Sequence, residues 1–456
     1  MNSRDQDRQL VSRPLCRRWT PVLFGAVLAM AHTSISLAAS QSPAVYPRNA
    51  APLPQVPAES LGLNSSRLAR IGEHFAGEVA KETAAGYVIV VARNGKLAYA
   101  SAVGQRDREA GLPMTLDTRF RIASMTKPVT ATAVLMLYEE AKLHLDDPIA
   151  RYLPEFKDMQ VAVGLDEAGN LKTEPARRPI TVRHVLTHSA GFGYGPLFDG
   201  NSPAAKAWAK LTLSSGDTLA AKTRDIAQLP LNFHPGEGWR YSVSNDVLGR
   251  LVEVVAGQPF DEFLQQRLFT PLGMRHTGFW VPPGDLPWVA KAYRRGESGK
   301  LELGEFPPLA VQTQRPSLIS GGGGLISTAG DYLRFAQMLA NGGTFEGRQY
   351  LSPVTVALMA SNQVAEDAQQ KFWGGSSRGL GYGLGVAPQF DFRLAPHAAT
   401  NGDFNWGGIL DTHWFASPET GVVAVLMTAV NPMGRKEPAR TDADFRALVY
   451  AAIQRL

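Results

Sequence analysis

Six consecutive apolar residues, YVIVVA at 87–92, run up to Asn94-Gly95 and then to the mixed stretch Lys96–Ala102. Two strand-like runs around Asn-Gly predict a β-hairpin. Farther on the period becomes helical. Ser124–Ala141 predicts a helix, and Pro128 fits it only in the first turn, where its missing N–H has no intrahelical partner. Within it Ala131–Leu137 is apolar nearly all round, which predicts a helix buried at the centre of the fold. Val161–Thr173, with Gly164 and Gly169-Asn170, predicts an excursion or small hairpin. Val182–Thr187 and Asn245–Ala256 predict helices, the second stopped by Gly257 and Pro259. Asp331–Ala340 predicts another, before Asn341-Gly342-Gly343. Thr412–Ala416 and Gly421–Ala429 predict strands split at Ser417-Pro418, and Asp442–Ile453 a closing helix. Strands at both ends and helices between them predict an α+β fold: an antiparallel sheet flanked by helices, with a mainly α-helical region inserted. No internal repeat is visible.

The first residues follow a different pattern. Arg17 and Arg18 precede the apolar run Pro21–Met30, and Ser36-Leu37-Ala38 follows. That order of basic, apolar and small residues predicts a secretory signal over 1–38, cleaved after Ala38. The run is too short and interrupted for a good membrane span, although an uncleaved anchor is the alternative. Arg17-Arg18 also starts a twin-arginine pattern, but its surroundings fit poorly. Residues 39–59, rich in Pro and Ala, predict a linker, leaving 60–456 as one domain. The expected location is outside the cytoplasm, in the periplasm, with no stable membrane span after cleavage.

Composition narrows the function. The chain has 456 residues, 44% hydrophobic and 19% charged, enough for a large core. Its only cysteine, Cys16, leaves with the signal, so no disulfide or thiol chemistry is expected. The formal charge is +5; residues 1–38 hold five arginines against Asp5 and Asp7, a net +3, so about +2 remains. So small an excess argues against nucleic-acid binding.

Four features are candidates for chemistry. Ser124 and Lys127, three apart on a helix, share a face and suit a nucleophile and its base. About one Ser-x-x-Lys is expected by chance in this chain, so the position at a helix start, where N–H groups favour negative charge, is what gives the pair weight. Gly375-Ser376-Ser377-Arg378-Gly379 matches a nucleophile elbow but lacks the strand before it and the helix after. His184 and His188, spaced i, i+4, lack the Glu and third ligand of a metal site, so structural roles are expected. Gly321–Gly324 has no Lys-Ser/Thr ending and predicts a tight turn or a backbone close to a site.

Further pieces complete a pattern: "GEGWRYSVSNDVLGRLVEVVAG" at 236–257, "PITVRHVLTHSAGFGYG" at 179–195, "SGGGGLISTAGDYLRFAQML" at 320–339 and "NWGGILDTHWF" at 405–415. With Ser124-Met125-Thr126-Lys127 ahead of them, and taken in chain order, they resemble the serine β-lactamase and penicillin-binding-protein superfamily over about residues 60–456. Class C β-lactamases and family VIII carboxylesterases are nearest. The resemblance implies Ser124 as acylated nucleophile, with Lys127 and Tyr241 moving its proton. It implies an oxyanion hole from the backbone N–H groups of Ser124 and of Ile409, on the strand after Trp-Gly-Gly. Trp406, Gly407, Gly408 and Val243 fall at substrate-binding positions, and no metal or cofactor is implied. Val243 stands where class C β-lactamases have Asn, and Trp406 where they have Lys. Family VIII esterases share both departures. The expected activity is therefore a serine hydrolase acting on small carboxylic esters. The alternatives are a β-lactamase, a D-Ala-D-Ala carboxypeptidase or amide hydrolase on the same machinery, or a non-catalytic cell-wall or peptide-binding protein. Phe192, Tyr194, Phe198 and Trp208 are expected either to wall the acyl pocket or to be ordinary core.

Overall fold

Alternate residues of YVIVVA point to opposite faces of a strand, and both sets are apolar, so such a strand needs cover on both sides. The computed structural model describes residues 51–200, 202–211, 217–304, 309–364, 379–431 and 440–455. The signal, the first part of the linker and Ser377 lie outside the described residues.

Strand β1 (Gly86–Arg93) turns through Asn94-Gly95, both at positive φ, into β2 (Lys96–Asp107), with β3 (Leu112–Pro113) beyond it. From the far end of the chain come β4 (Ala387–Pro388), β5 (Phe404–Gly408), β6 (Thr412–Ser417) and β7 (Val422–Met427). The order is β4-β5-β6-β7-β1-β2-β3, antiparallel throughout. Val88 faces Met427 and Val90 faces Val425, so the two ends of the chain meet at the middle of the sheet.

The helices that position the rest are α1 (Ser65–Ala80), α2 (Thr126–Glu139), α3 (Val182–Leu186), α4 (Ser244–Ala256), α5 (Ala329–Ala340) and α6 (Thr441–Ala451). Tyr87, Ile89 and Val91 pack with Leu68, Ile71 and Phe75 of α1 and with Phe445 and Val449 of α6. Val88 and Val90 face the other way, into the core shared with α2 and α5. Every residue from Thr126 to Leu137 is buried, as the all-round apolar pattern of α2 requires. Gln160–Leu165 and Leu171–Pro175 form the small hairpin. Among the described residues no helix is long and apolar enough to cross a membrane.

Four expectations need correction. The end of the linker is part of the fold: Leu53 is buried, and the Val56 N–H bonds the Leu97 carbonyl. The helix expected from Ser124 begins as a 3-10 turn over Ala123–Met125, and α2 proper starts at Thr126. α4 starts at Ser244, one residue before the expected Asn245, and its N-cap, Val243, has no side-chain acceptor to cap it. Trp406-Gly407-Gly408 does not lead into a strand; it lies within β5, and Ile409 begins the turn that closes β5 onto β6.

Candidate active site

Ser124 is partly open while residues 121–123 and 125–130 around it are buried. The backbone explains this. Phe120–Arg121 pairs with Ile326–Ser327, the chain then passes through Ala123 at φ 44°, and the 3-10 turn follows. A left-handed alanine is uncommon and costs roughly 1 kcal/mol. Here it turns the serine out of the core at the head of α2.

Lys127, one turn on, is fully buried. Its Nζ donates to the Gly322 carbonyl at 2.6 Å and reaches Ser124 Oγ at 3.3 Å. The predicted glycine turn at 321–324 thus supplies backbone to the site. Gly321 could not carry a Cβ, which would stand 2.3 Å from the Asn245 carbonyl oxygen. Burial pushes the Lys127 ammonium down to about 7, and the charge of Asp246 opposes that shift. The faces of Tyr241 and Tyr194, 4.5 and 5.5 Å from Nζ, also favour the cation. Asp246, in the first turn of α4, is itself buried. It accepts from Ser320 Oγ at 2.6 Å and from the Gly322 N–H at 3.2 Å. Its own carboxyl is pushed up, chiefly by burial.

The Tyr241 hydroxyl donates to Ser124 Oγ at 2.7 Å. Its ring sits in an aromatic cage: Tyr194 stacked at 5.6 Å, Phe198 edge-on at 5.3 Å, His188 at 4.9 Å and Trp406 at 5.8 Å. Tyr382 and Trp239 close the cage behind, 5.2 Å from Trp406 and 6.1 Å from His188 respectively. Burial drives the Tyr241 phenol well up, while its hydrogen bonds with Ser124 and Trp406 pull the other way. Of the four aromatics in doubt, Tyr194 and Phe198 face the site. Phe192 and Trp208 are core, their rings tilted against each other at 6.4 Å.

β5 forms the opposite wall. Gly408 is a close-approach glycine: a Cβ there would meet the Ile122 carbonyl oxygen at 2.5 Å and Thr412 Oγ1 at 2.4 Å. That contact seats the end of β5, and Ile409 after it, against the turn that carries Ser124. Gly407 is less tight, with the Thr412 carbonyl oxygen 3.1 Å and His413 Nδ1 3.2 Å from the Cβ position. Val243, expected to touch substrate, is instead wholly buried, its N–H bonded to the Gly193 carbonyl.

The histidine pair separates. His184 makes a capping box with Thr181 at the head of α3, and His188 Nδ1 pairs with Ser242 Oγ at 2.9 Å. Asp246, Trp239 and Tyr382 belong to the site but went unread. Asp246 looks like an ordinary acidic residue in a helix's first turn, and Tyr382 sits in a glycine-rich stretch with no period.

A family model described as Beta-lactamase matches residues 71–449. An uncharacterized protein of Mycobacterium tuberculosis is 38% identical over 351 residues, 75% of this chain and 85% of that protein. Esterase EstB of Burkholderia gladioli is 34% identical over 407 residues, 85% of this chain and 96% of that one. Among solved structures, EstCE1, described as a hydrolase with promiscuous acyltransferase activity, superimposes with a TM-score of 0.70 at 31% identity. It covers 84% of this chain and 99% of its own.

Proposed function

Because the chain belongs to the Beta-lactamase family and is by that membership a serine hydrolase, we propose that it cleaves small neutral carboxylic esters through an acyl-enzyme on Ser124, after export to the periplasm. The observation that carries this reading is the double contact on one hydroxyl: Lys127 Nζ at 3.3 Å and Tyr241 OH at 2.7 Å from Ser124 Oγ. A serine hydroxyl becomes a useful nucleophile only with a base in reach. The surroundings push the two neighbours apart, the lysine down to about 7 and the phenol up. Such a split supports a division of roles in which neutral Lys127 is the base and protonated Tyr241 the acid.

In this reaction Ser124 Oγ attacks the ester carbonyl carbon and its proton passes to Lys127. The oxyanion faces the backbone N–H groups of Ser124 and Ile409. The bond to the leaving oxygen breaks as Tyr241 gives it a proton, which Tyr241 regains from the Lys127 ammonium. Water then attacks the acyl-enzyme carbonyl and gives a proton to the same pair; the bond to Ser124 Oγ breaks as Oγ takes that proton back, and the carboxylic acid leaves.

Trp406 supports a neutral substrate. It lies against Tyr241 and Tyr382 where a β-lactam carboxylate would look for a cation, and an anion desolvated there without a charged partner is costly. The test is kcat/KM for p-nitrophenyl butyrate and for nitrocefin, in wild type and in Trp406→Lys. The wild type is expected to favour the ester, and Trp406→Lys to lose ester activity and gain affinity for nitrocefin. A wild type that hydrolyses nitrocefin faster than the ester replaces this reading with the β-lactamase one.

A further inference from the structure

His188 is bonded to both residues that flank Tyr241. Its carbonyl oxygen accepts the Arg240 N–H at 3.0 Å, and its Nδ1 accepts the Ser242 N–H at 3.2 Å, with Ser242 Oγ also 2.9 Å away. Its ring lies against the Tyr241 ring at 4.9 Å. One residue therefore grips the main chain before and after the tyrosine and braces its side chain. We propose that His188 is a positioning residue that holds the Tyr241 hydroxyl in register with Ser124 Oγ. This rests on the reading of Tyr241 as a proton carrier.

The local chemistry suits that task. His188 is 1% exposed and adopts φ 57°, a left-handed conformation in which His, Asn and Asp are enriched. Nδ1 can accept only from a neutral ring with its hydrogen on Nε2. Burial, reinforced by the charge of Lys127, holds the imidazole neutral by pushing it well below its usual range. Nε2 has no hydrogen-bond partner among the described residues; Tyr382 and Trp239 lie edge-on to the ring. The working atoms are thus the carbonyl oxygen and Nδ1, not Nε2. A small tilt of the main chain at residue 241 is magnified at the end of the tyrosine, and ~1 Å of misplacement in a catalytic group costs ~10²-fold in rate.

Asn at 188 keeps the left-handed backbone and places an acceptor, Oδ1, where Nδ1 stands. Phe keeps an aromatic ring but no acceptor. The experiment measures kcat and KM for p-nitrophenyl butyrate in wild type, His188→Phe, His188→Asn, Tyr241→Phe and His188→Phe/Tyr241→Phe. The expected pattern is a kcat loss of ~10²-fold in His188→Phe with KM changed less than about 3-fold, and recovery to within about 10-fold of wild type in His188→Asn. In the Tyr241→Phe background His188→Phe should cost less than about 3-fold, because the group it positions is gone. Should His188→Phe not fold, His188→Gly, which fits the backbone without an acceptor, replaces it. Equal losses in both backgrounds, or Asn as damaging as Phe, overturn the proposal while leaving Tyr241's role intact. A Tyr241→Phe enzyme with wild-type kcat overturns the reading of Tyr241, and this proposal with it.

Discussion

At the residue scale, burial is what fits Lys127 to the role of base proposed for it. Its pKa near 7, against 10.5 for an ordinary lysine, means the neutral amine is present around neutral pH. Activity should therefore rise with pH through about 7. Asp246 opposes the shift, so Asp246→Asn should move that rising limb to lower pH; a pH–kcat/KM profile that stays put would show the carboxylate is electrically silent there. The same burial costs stability. Between about 7 and 10.5 the unfolded chain binds the proton that folded Lys127 has released, so stability rises with pH across that window, and the full cost is felt below it. The Ser124–Lys127 pair stood out as a candidate through its local spacing at a helix start, and Tyr241, 117 residues from Ser124, only through the family resemblance. Asp246 did not stand out, because its meaning comes from Ser320 and Gly322, more than seventy residues away.

At the element scale, two features of the backbone aim the chemistry: the 3-10 turn that lifts Ser124 out of the core, and the end of β5 pressed against it. Gly408→Ala tests the second. A methyl 2.5 Å from the Ile122 carbonyl forces strand and turn apart, at about 1–3 kcal/mol. Thermal unfolding should show that loss, and kcat should fall by ~10-fold or more as the seat of Ile409 moves. Gly77→Ala in α1, where a Cβ meets nothing within 4 Å, is the control and should stabilise by about 1 kcal/mol. An active, fully stable Gly408→Ala enzyme would refute the close-approach role. α1 was missed and β2 runs five residues past the expected Ala102, but the other helices and hairpins expected from the sequence were legible within a residue or two. The placing of Trp-Gly-Gly inside β5 was not, since a strand that ends in two glycines carries no period to mark its edge.

At the scale of the whole molecule, the sheet closes only when β1 meets β7, so each end of the chain needs the other. Helix α6 seals that junction: Phe445 is fully buried, edge-on to Phe415 of β6 at 5.7 Å. Phe445→Ala should cost about 3–5 kcal/mol in denaturant unfolding and leave kcat of the folded enzyme nearly unchanged, because α6 packs on the face of the sheet away from Ser124. A midpoint equal to wild type would mean the sheet does not depend on this seal. The strand–helix–strand order of the chain made the architecture legible. The aromatic cage was legible only in part: it gathers His188, Trp239, Tyr241, Tyr382 and Trp406 from four separate stretches, and only folding brings them together.

The claim on which the rest depends is that Ser124 is the acylated nucleophile. The most direct measurement is peptide mass mapping after reaction of the intact enzyme with a fluorophosphonate, with Ser124→Ala and Ser377→Ala alongside. The tryptic peptides separate the candidates, since Ser124 falls in Ile122–Lys142, where Lys127-Pro128 resists cleavage, and Ser377 falls in Phe372–Arg378. The expected result is one adduct on Ile122–Lys142, absent in Ser124→Ala together with ester hydrolysis and present in Ser377→Ala. An adduct on Ser377, or a Ser124→Ala enzyme that still turns over ester, would contradict it.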